Sequence, residues 1–209
     1  VFTSAFTFWY IGGENTGVVA NSLAALALFL TDPGNAGNLG NFVTFTNVTA
    51  IAGGIGSDVF FFDSDGHMTS PVTGGGGAGV DSVAGSTGID QFTITGTDSI
   101  DINVGGLITQ FTSINNINAA AGDGGGAALA DTGNDSVDLN SNTWTGDING
   151  GAGTNTLLGA TGYIVTGSNA GTATQVGGTW SQFQNLTGTS GSDTFTFNTG
   201  SVLSGTANG

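Results

Sequence analysis

The 209-residue chain has no Lys, no Arg, no Cys and one His, against fifteen acidic residues and a formal charge of −15. Without fixed cations it has nothing to neutralise phosphate, which excludes nucleic acid and an anionic membrane surface as partners. Forty Gly leave little material for helix surfaces, and Glu14 is the only Glu, yet 38% apolar residues and a mean hydropathy of +0.18 suffice for a core.

Residues 1–40 read as a first unit. A strand is expected around Ala5-Phe6-Thr7-Phe8. The apolar run Leu23-Ala24-Ala25-Leu26-Ala27-Leu28-Phe29-Leu30 follows Asn21-Ser22, a helix cap, and stops before Asp32-Pro33-Gly34. A short helix is expected there, capping a β stack; the run is too short to span a bilayer.

Residues 41–209 read as a repetitive β region. One alternating phrase occurs as Asn41-Phe42-Val43-Thr44-Phe45-Thr46-Asn47-Val48, again from Leu107 to Ile114, and again from Thr179 to Leu186. Its anchors are Phe45, Phe111 and Phe183, and each copy would bury one face. A denser motif, Gly-x-Asp/Asn followed by an apolar residue two positions on, appears seven times. Its Asx residues are Asp58, Asp81, Asp90, Asp98, Asp135, Asn155 and Asp193. Each copy reads as a turn feeding a strand: Gly permits the turn, Asp or Asn bonds the local backbone or a cation, and the apolar residue enters the core. Many such units predict an all-β chain coiled into a parallel β-solenoid, with roughly twenty residues per coil. A β-sandwich array is the second architecture the pattern allows. With no initiator Met and no basic leader, the sequence reads as a piece of a longer protein.

Gly53-Gly54-Ile55-Gly56-Ser57-Asp58-Val59-Phe60-Phe61 and Gly76-Gly77-Ala78-Gly79-Val80-Asp81-Ser82-Val83-Ala84 resemble the nonapeptide of RTX (haemolysin-type) repeats, and Gly150 to Leu158 matches with Asn in place of Asp. The resemblance implies a β-roll with calcium between successive Gly-rich turns, in a secreted or surface-bound bacterial protein. Only residues 76 to about 101 are close to tandem. The long period and the Thr/Asn-rich phrases resemble giant bacterial β-strand-repeat surface proteins, adhesin-like or S-layer-like.

That resemblance makes Ca2+ the expected cofactor. Asp81 and Asp90 would lie on successive turns of one edge, with Asp98 extending the row; Asp58, Asp135 and Asp193 are isolated candidates. The alternative is that each Asp only bonds the amides of its own turn. Asp63-Ser64-Asp65-Gly66 resembles the start of an EF-hand loop without its later ligands, and His67 beside Met68 reads as a loop histidine. With no Cys, no Lys and a single His, catalytic constellations are scarce, so no enzyme is expected. The expected function is a structural, self-associating unit of an extracellular layer, fibre or filament at the cell surface. The other reading is an adhesin-type module binding a glycan or ice through Thr-x-Thr pairs such as Thr194-Phe195-Thr196, with Trp144 and Trp180.

Overall fold

In the computed structural model the described residues are 6–22, 42–118 and 133–209. The regular structure they form is all β, in two mixed sheets of eleven and nine strands, here sheet one and sheet two. The helix expected over residues 23–30 lies outside the described residues.

The twenty strands fall into three successive groups with the same internal pairing. The first holds β1 (Phe6–Gly13), β2 (Thr16–Ala20), β3 (Phe42–Phe45), β4 (Ile51–Ala52), β5 (Ser57–Phe62), β6 (Val72–Thr73) and β7 (Ser82–Val83). The second holds β8 (Asp90–Gly96), β9 (Ser99–Val104), β10 (Leu107–Thr112), β11 (Asn116–Asn118), β12 (Ser136–Asp138), β13 (Ile148–Asn149) and β14 (Thr156–Leu158). The third holds β15 (Gly162–Gly167), β16 (Ala170–Ala173), β17 (Trp180–Ser181), β18 (Asn185–Thr187), β19 (Thr194–Phe197) and β20 (Ala207–Asn208).

Each group opens with a bulged antiparallel hairpin, β1–β2, β8–β9 or β15–β16, followed by an antiparallel third strand. The hairpin tips turn on Asn15, Asp98 and Asn169 with φ of 52°, 52° and 50°. Left-handed backbone is tolerated best there by Asn and Asp among residues with side chains. After the third strand the chain steps to the opposite sheet and thereafter alternates between the two. The short strands so laid down pair in parallel, as in β5–β7–β11–β13–β17 and β12–β14–β18–β20. Hairpins lengthen some of the intervals, so ladder partners stand from 20 to 45 residues apart rather than at a uniform twenty.

Between the sheets lies one continuous apolar core. Phe111 meets Phe60 and Phe62 edge-on at 5.5 and 5.6 Å, and Trp144, Trp180, Phe183 and Leu186 are fully buried. Each large apolar side chain so enclosed contributes about 1.5–3 kcal/mol. The group alignment corrects one anchor. Gly17 pairs with Phe45 and Gly171 with Trp180, and Asn47, Ser113 and Gln182 share positive φ of 54°, 57° and 61°. Trp180 is therefore the third counterpart of Phe45 and Phe111, while Phe183 corresponds to Val48 and Ile114. A Trp in place of Phe and the next Phe three residues on displaced the sequence alignment.

Candidate functional site

Two ladders of Asp and Asn side chains run along the stack, where the turns enter the strands. On the sheet-one side, the Asp58 N–H donates to Asp81 Oδ1 at 2.8 Å and the Asp81 N–H to Asn115 Oδ1 at 2.9 Å. On the sheet-two side, the Asp90 N–H donates to Asp135 Oδ1 at 2.8 Å and the Asp135 N–H to Asn155 Oδ1 at 2.8 Å. The Asn155 N–H then donates to Gln184 Oε1 at 2.7 Å. Asp58, Asp81, Asp90, Asp135 and Asn155 are all buried, between 0% and 5% exposed. Backbone N–H groups thus solvate these side chains, and such bonds strengthen with burial.

A second bond closes the turn locally. The Gly54 N–H donates to Asp58 Oδ2 at 2.7 Å, the Ser86 N–H to Asp90 Oδ2 at 2.6 Å, and the Thr189 N–H to Asp193 Oδ1 at 3.0 Å. In all three the donor stands four residues before the Asp, and a Gly stands one residue earlier still. A Cβ on Gly53, Gly85 or Gly188 would fall 2.5, 2.0 or 2.3 Å from a carboxylate oxygen of that Asp. The carboxylate occupies the space a side chain would need, which explains the Gly. In Asn155 the amide works in reverse, with Nδ2 donating to the Gly151 carbonyl at 3.1 Å.

Placement of the candidates differs from the sequence expectation in two respects. Asp81 opens β7 in sheet one and Asp90 opens β8 in sheet two, so they do not share an edge; Asp81 neighbours Asp58, and Asp90 neighbours Asp135. Nine residues carry the chain across the stack, not once around it. Nor does Asp98 extend the Asp90 row. It sits at the β8–β9 tip, where its Oδ1 accepts the Thr145 hydroxyl at 2.6 Å. Asn15 and Asn169 make the matching clasps on Thr69 and Ser204. Asp193 holds the place of Asp58 and Asp135 in the third group, where its Oδ1 accepts the N–H and the hydroxyl of Thr189.

Asn115 and Gln184 were not read as site residues, since neither sits in a Gly-x-Asx motif. Their only sequence signal is that they flank the third strands. Asp147, also unread, accepts the N–H and hydroxyl of Thr179 at 2.7 and 2.9 Å on the outer surface.

The electrostatics follow from burial. Asp81 has its carboxyl raised above the ordinary value, chiefly by desolvation; the Asp58 N–H bond opposes the shift and the Asp58 charge adds to it. Burial likewise pushes Tyr163 up to about 12, against the stabilising Ala160 N–H bond and with help from the charges of Asp193 and Asp138.

Among the described residues no three acidic or His side chains converge as a metal-binding group. A polar cleft of about 350 Å³ is lined by Gly75, Gly76, Asp81, Asp98, Thr112 and Asn115. It joins two of the six candidate carboxylates to a Gly-rich turn. Within it Asp81 is 5% exposed with Oδ1 taken by the Asp58 N–H, Asn115 Oδ1 takes the Asp81 N–H, and Asp98 Oδ1 takes the Thr145 hydroxyl. Comparison of the chain with protein-family models, with curated proteins and with solved structures found no match.

Proposed function

We propose that this chain is a non-catalytic structural unit of an extracellular surface layer or fibre, built as a rung-stacked parallel β-solenoid that associates with itself. The observation that carries this reading is the pair of buried Asx ladders. Asp81, Asn115, Asp135, Asn155 and Gln184 each accept the backbone N–H of a neighbouring rung, which would fix stacking register without a disulfide or an ion pair. Carboxylates that an enzyme would aim at a substrate are spent on amides inside the wall. The sequence resemblance to RTX and β-strand-repeat surface proteins points to the same setting, and a chain without Lys or Arg offers trypsin no site.

Calcium belongs in this proposal at the cleft between Asp81 and Asp98, where Asn115 and the Gly75–Gly76 backbone would add oxygen ligands. A cation there would offset the charge that burial makes costly at Asp81. The test is circular dichroism, thermal melting and sedimentation of the chain in chelator and then in millimolar calcium. Calcium should raise melting temperature and assembled mass in the parent chain and raise neither in an Asp81→Asn/Asp98→Asn variant. No response in the parent removes calcium from the reading; a monomer under every condition removes self-association.

One surface supports the second reading, a ligand-binding module. Across β16, β15 and β19 the register aligns Thr172, Ile164 and Thr196, and an apolar cleft of about 340 Å³ there is lined by Thr161, Thr174 and Thr194 as well. A glycan array probed with the parent chain, with a Thr172→Val/Thr196→Val variant as control, separates this reading from the first.

A further inference from the structure

Three Asn-x-Ser/Thr triplets occur in the chain: Asn47-Val48-Thr49, Asn134-Asp135-Ser136 and Asn185-Leu186-Thr187. Such a triplet is the acceptor sequence for an N-linked glycan, a bulky group that needs a surface position. The fold treats all three alike in one respect. The middle residue turns inward, Val48 packing against the core and Asp135 and Leu186 being 1% and 0% exposed. The Asn and the hydroxyl residue that flank it are more exposed.

What separates them is what each amide already holds. Asn134 Oδ1 accepts the Thr154 N–H at 2.7 Å. Asn185 is half-buried in β18, between β14 and β20, and its Oδ1 accepts the Thr206 N–H at 3.1 Å and hydroxyl at 3.0 Å. A sugar on either amide would stand against the neighbouring rung. Asn47 is exposed, lies outside the strands, and makes no side-chain hydrogen bond among the described residues; Thr49 is exposed as well. This exposure belongs to the turn rather than to a position at the end of the stack. The counterparts Ser113 and Gln182 share its left-handed φ and are also exposed, although their strands, β10 and β17, are paired on both edges. Those two groups lack the triplet. In Ser113-Ile114-Asn115 and Gln182-Phe183-Gln184 the third residue serves a ladder instead.

We infer that Asn47 is the acceptor of an N-linked glycan, an inference that rests on the extracellular setting proposed above. The donor is an oligosaccharide carried on a polyprenyl diphosphate. Asn47 Nδ2 bonds to the anomeric carbon of its first sugar and gives up one proton. The bond from that carbon to the diphosphate oxygen breaks, and the lipid diphosphate leaves with the electron pair. The left-handed turn holds the side chain off the stack, so the glycan stands beside the rungs without displacing a ladder bond.

The folded chain, incubated with a purified oligosaccharyltransferase and a polyprenyl-diphosphate oligosaccharide, should gain a single glycan. Because trypsin has no site in the chain, the glycan is located by mass in the chymotryptic peptide Thr46–Phe60. Asn47→Gln should abolish the modification while keeping the parent's circular dichroism and melting temperature, and Thr49→Ala should lower it at least tenfold. No modification at Asn47, or equal modification at Asn134 or Asn185, overturns the inference. The same peptide from protein collected at the surface of its producing cells should carry the glycan. Surface protein that is bare at Asn47 overturns the inference while the extracellular reading stands, and protein confined to the cytoplasm overturns both.

Discussion

Asp135 and Asp193 occupy the same place in the second and third groups: each follows a Gly two residues before it and precedes a strand paired to the first hairpin strand. Asp135 is 1% exposed, its carboxylate takes the Asp90 N–H, and its own N–H is held by Asn155. Asp193 is half-buried and uses Oδ1 for both the N–H and the hydroxyl of Thr189. One motif therefore does two jobs. Asp135 ties neighbouring strands together, whereas Asp193 closes its own turn, the Thr161 N–H beside it going to Gln175 Oε1 instead.

Substitution separates the two jobs most sharply. Asp135→Ala strands the buried Asp90 N–H and should cost about 3 kcal/mol, whereas Asp193→Ala loses a local turn bond and should cost about 1 kcal/mol, both read from urea denaturation. Next in size is the Gly five residues before the Asp. Gly85→Ala forces a Cβ against the fully buried Asp90 carboxylate and should destabilise by about 2 kcal/mol. Gly188→Ala meets the half-exposed Asp193, which has room to move, and should cost under about 1 kcal/mol in the same assay. Asp135→Asn keeps the Oδ1 acceptor and sheds a buried charge, so it should stay within about 1 kcal/mol of the parent. A larger loss would mean that the charge itself holds the ladder.

The smallest effect is that of pH at Asp81. Its carboxyl is raised in the folded chain, so the native state holds that proton more tightly than the unfolded chain does. This contribution is fully present below the ordinary value of 3.8 and is lost as pH rises through the raised one. Urea midpoints taken downward from pH 7 should therefore rise slightly before general carboxylate protonation reverses the trend. Asp81→Asn should flatten that rise.

Much of the local structure was legible. Asp58, Asp81, Asp90, Asp135 and Asp193 were read as turn residues feeding strands, and each stands next to or at the start of one: β5, β7, β8, β12 and β19. What joins them was not legible, because ladder partners lie 20 to 45 residues apart and nothing local marks Asn115 or Gln184 as acceptors. The seven-strand group was hidden for a related reason. Several of its strands are two residues long, and hairpins and loops of unequal length blur the period. Phe45 to Phe111 gave the spacing correctly; the third interval slipped because the core anchor there is Trp180 rather than a Phe. Asp98 was misplaced because Gly96-Thr97-Asp98 at a hairpin tip is spelled like a turn entering a new rung.

The five ladder bonds share a direction: in each, the N–H belongs to the earlier residue and the accepting side chain to the later one. A chain emerging N-terminus first, from a ribosome or through a secretion pore, therefore exposes amides that nothing yet synthesised or exported can cap. Asp90 waits 45 residues for its acceptor, and Asp135 waits 20. At these five amides the ladder closes from behind, each capped by a residue that follows it.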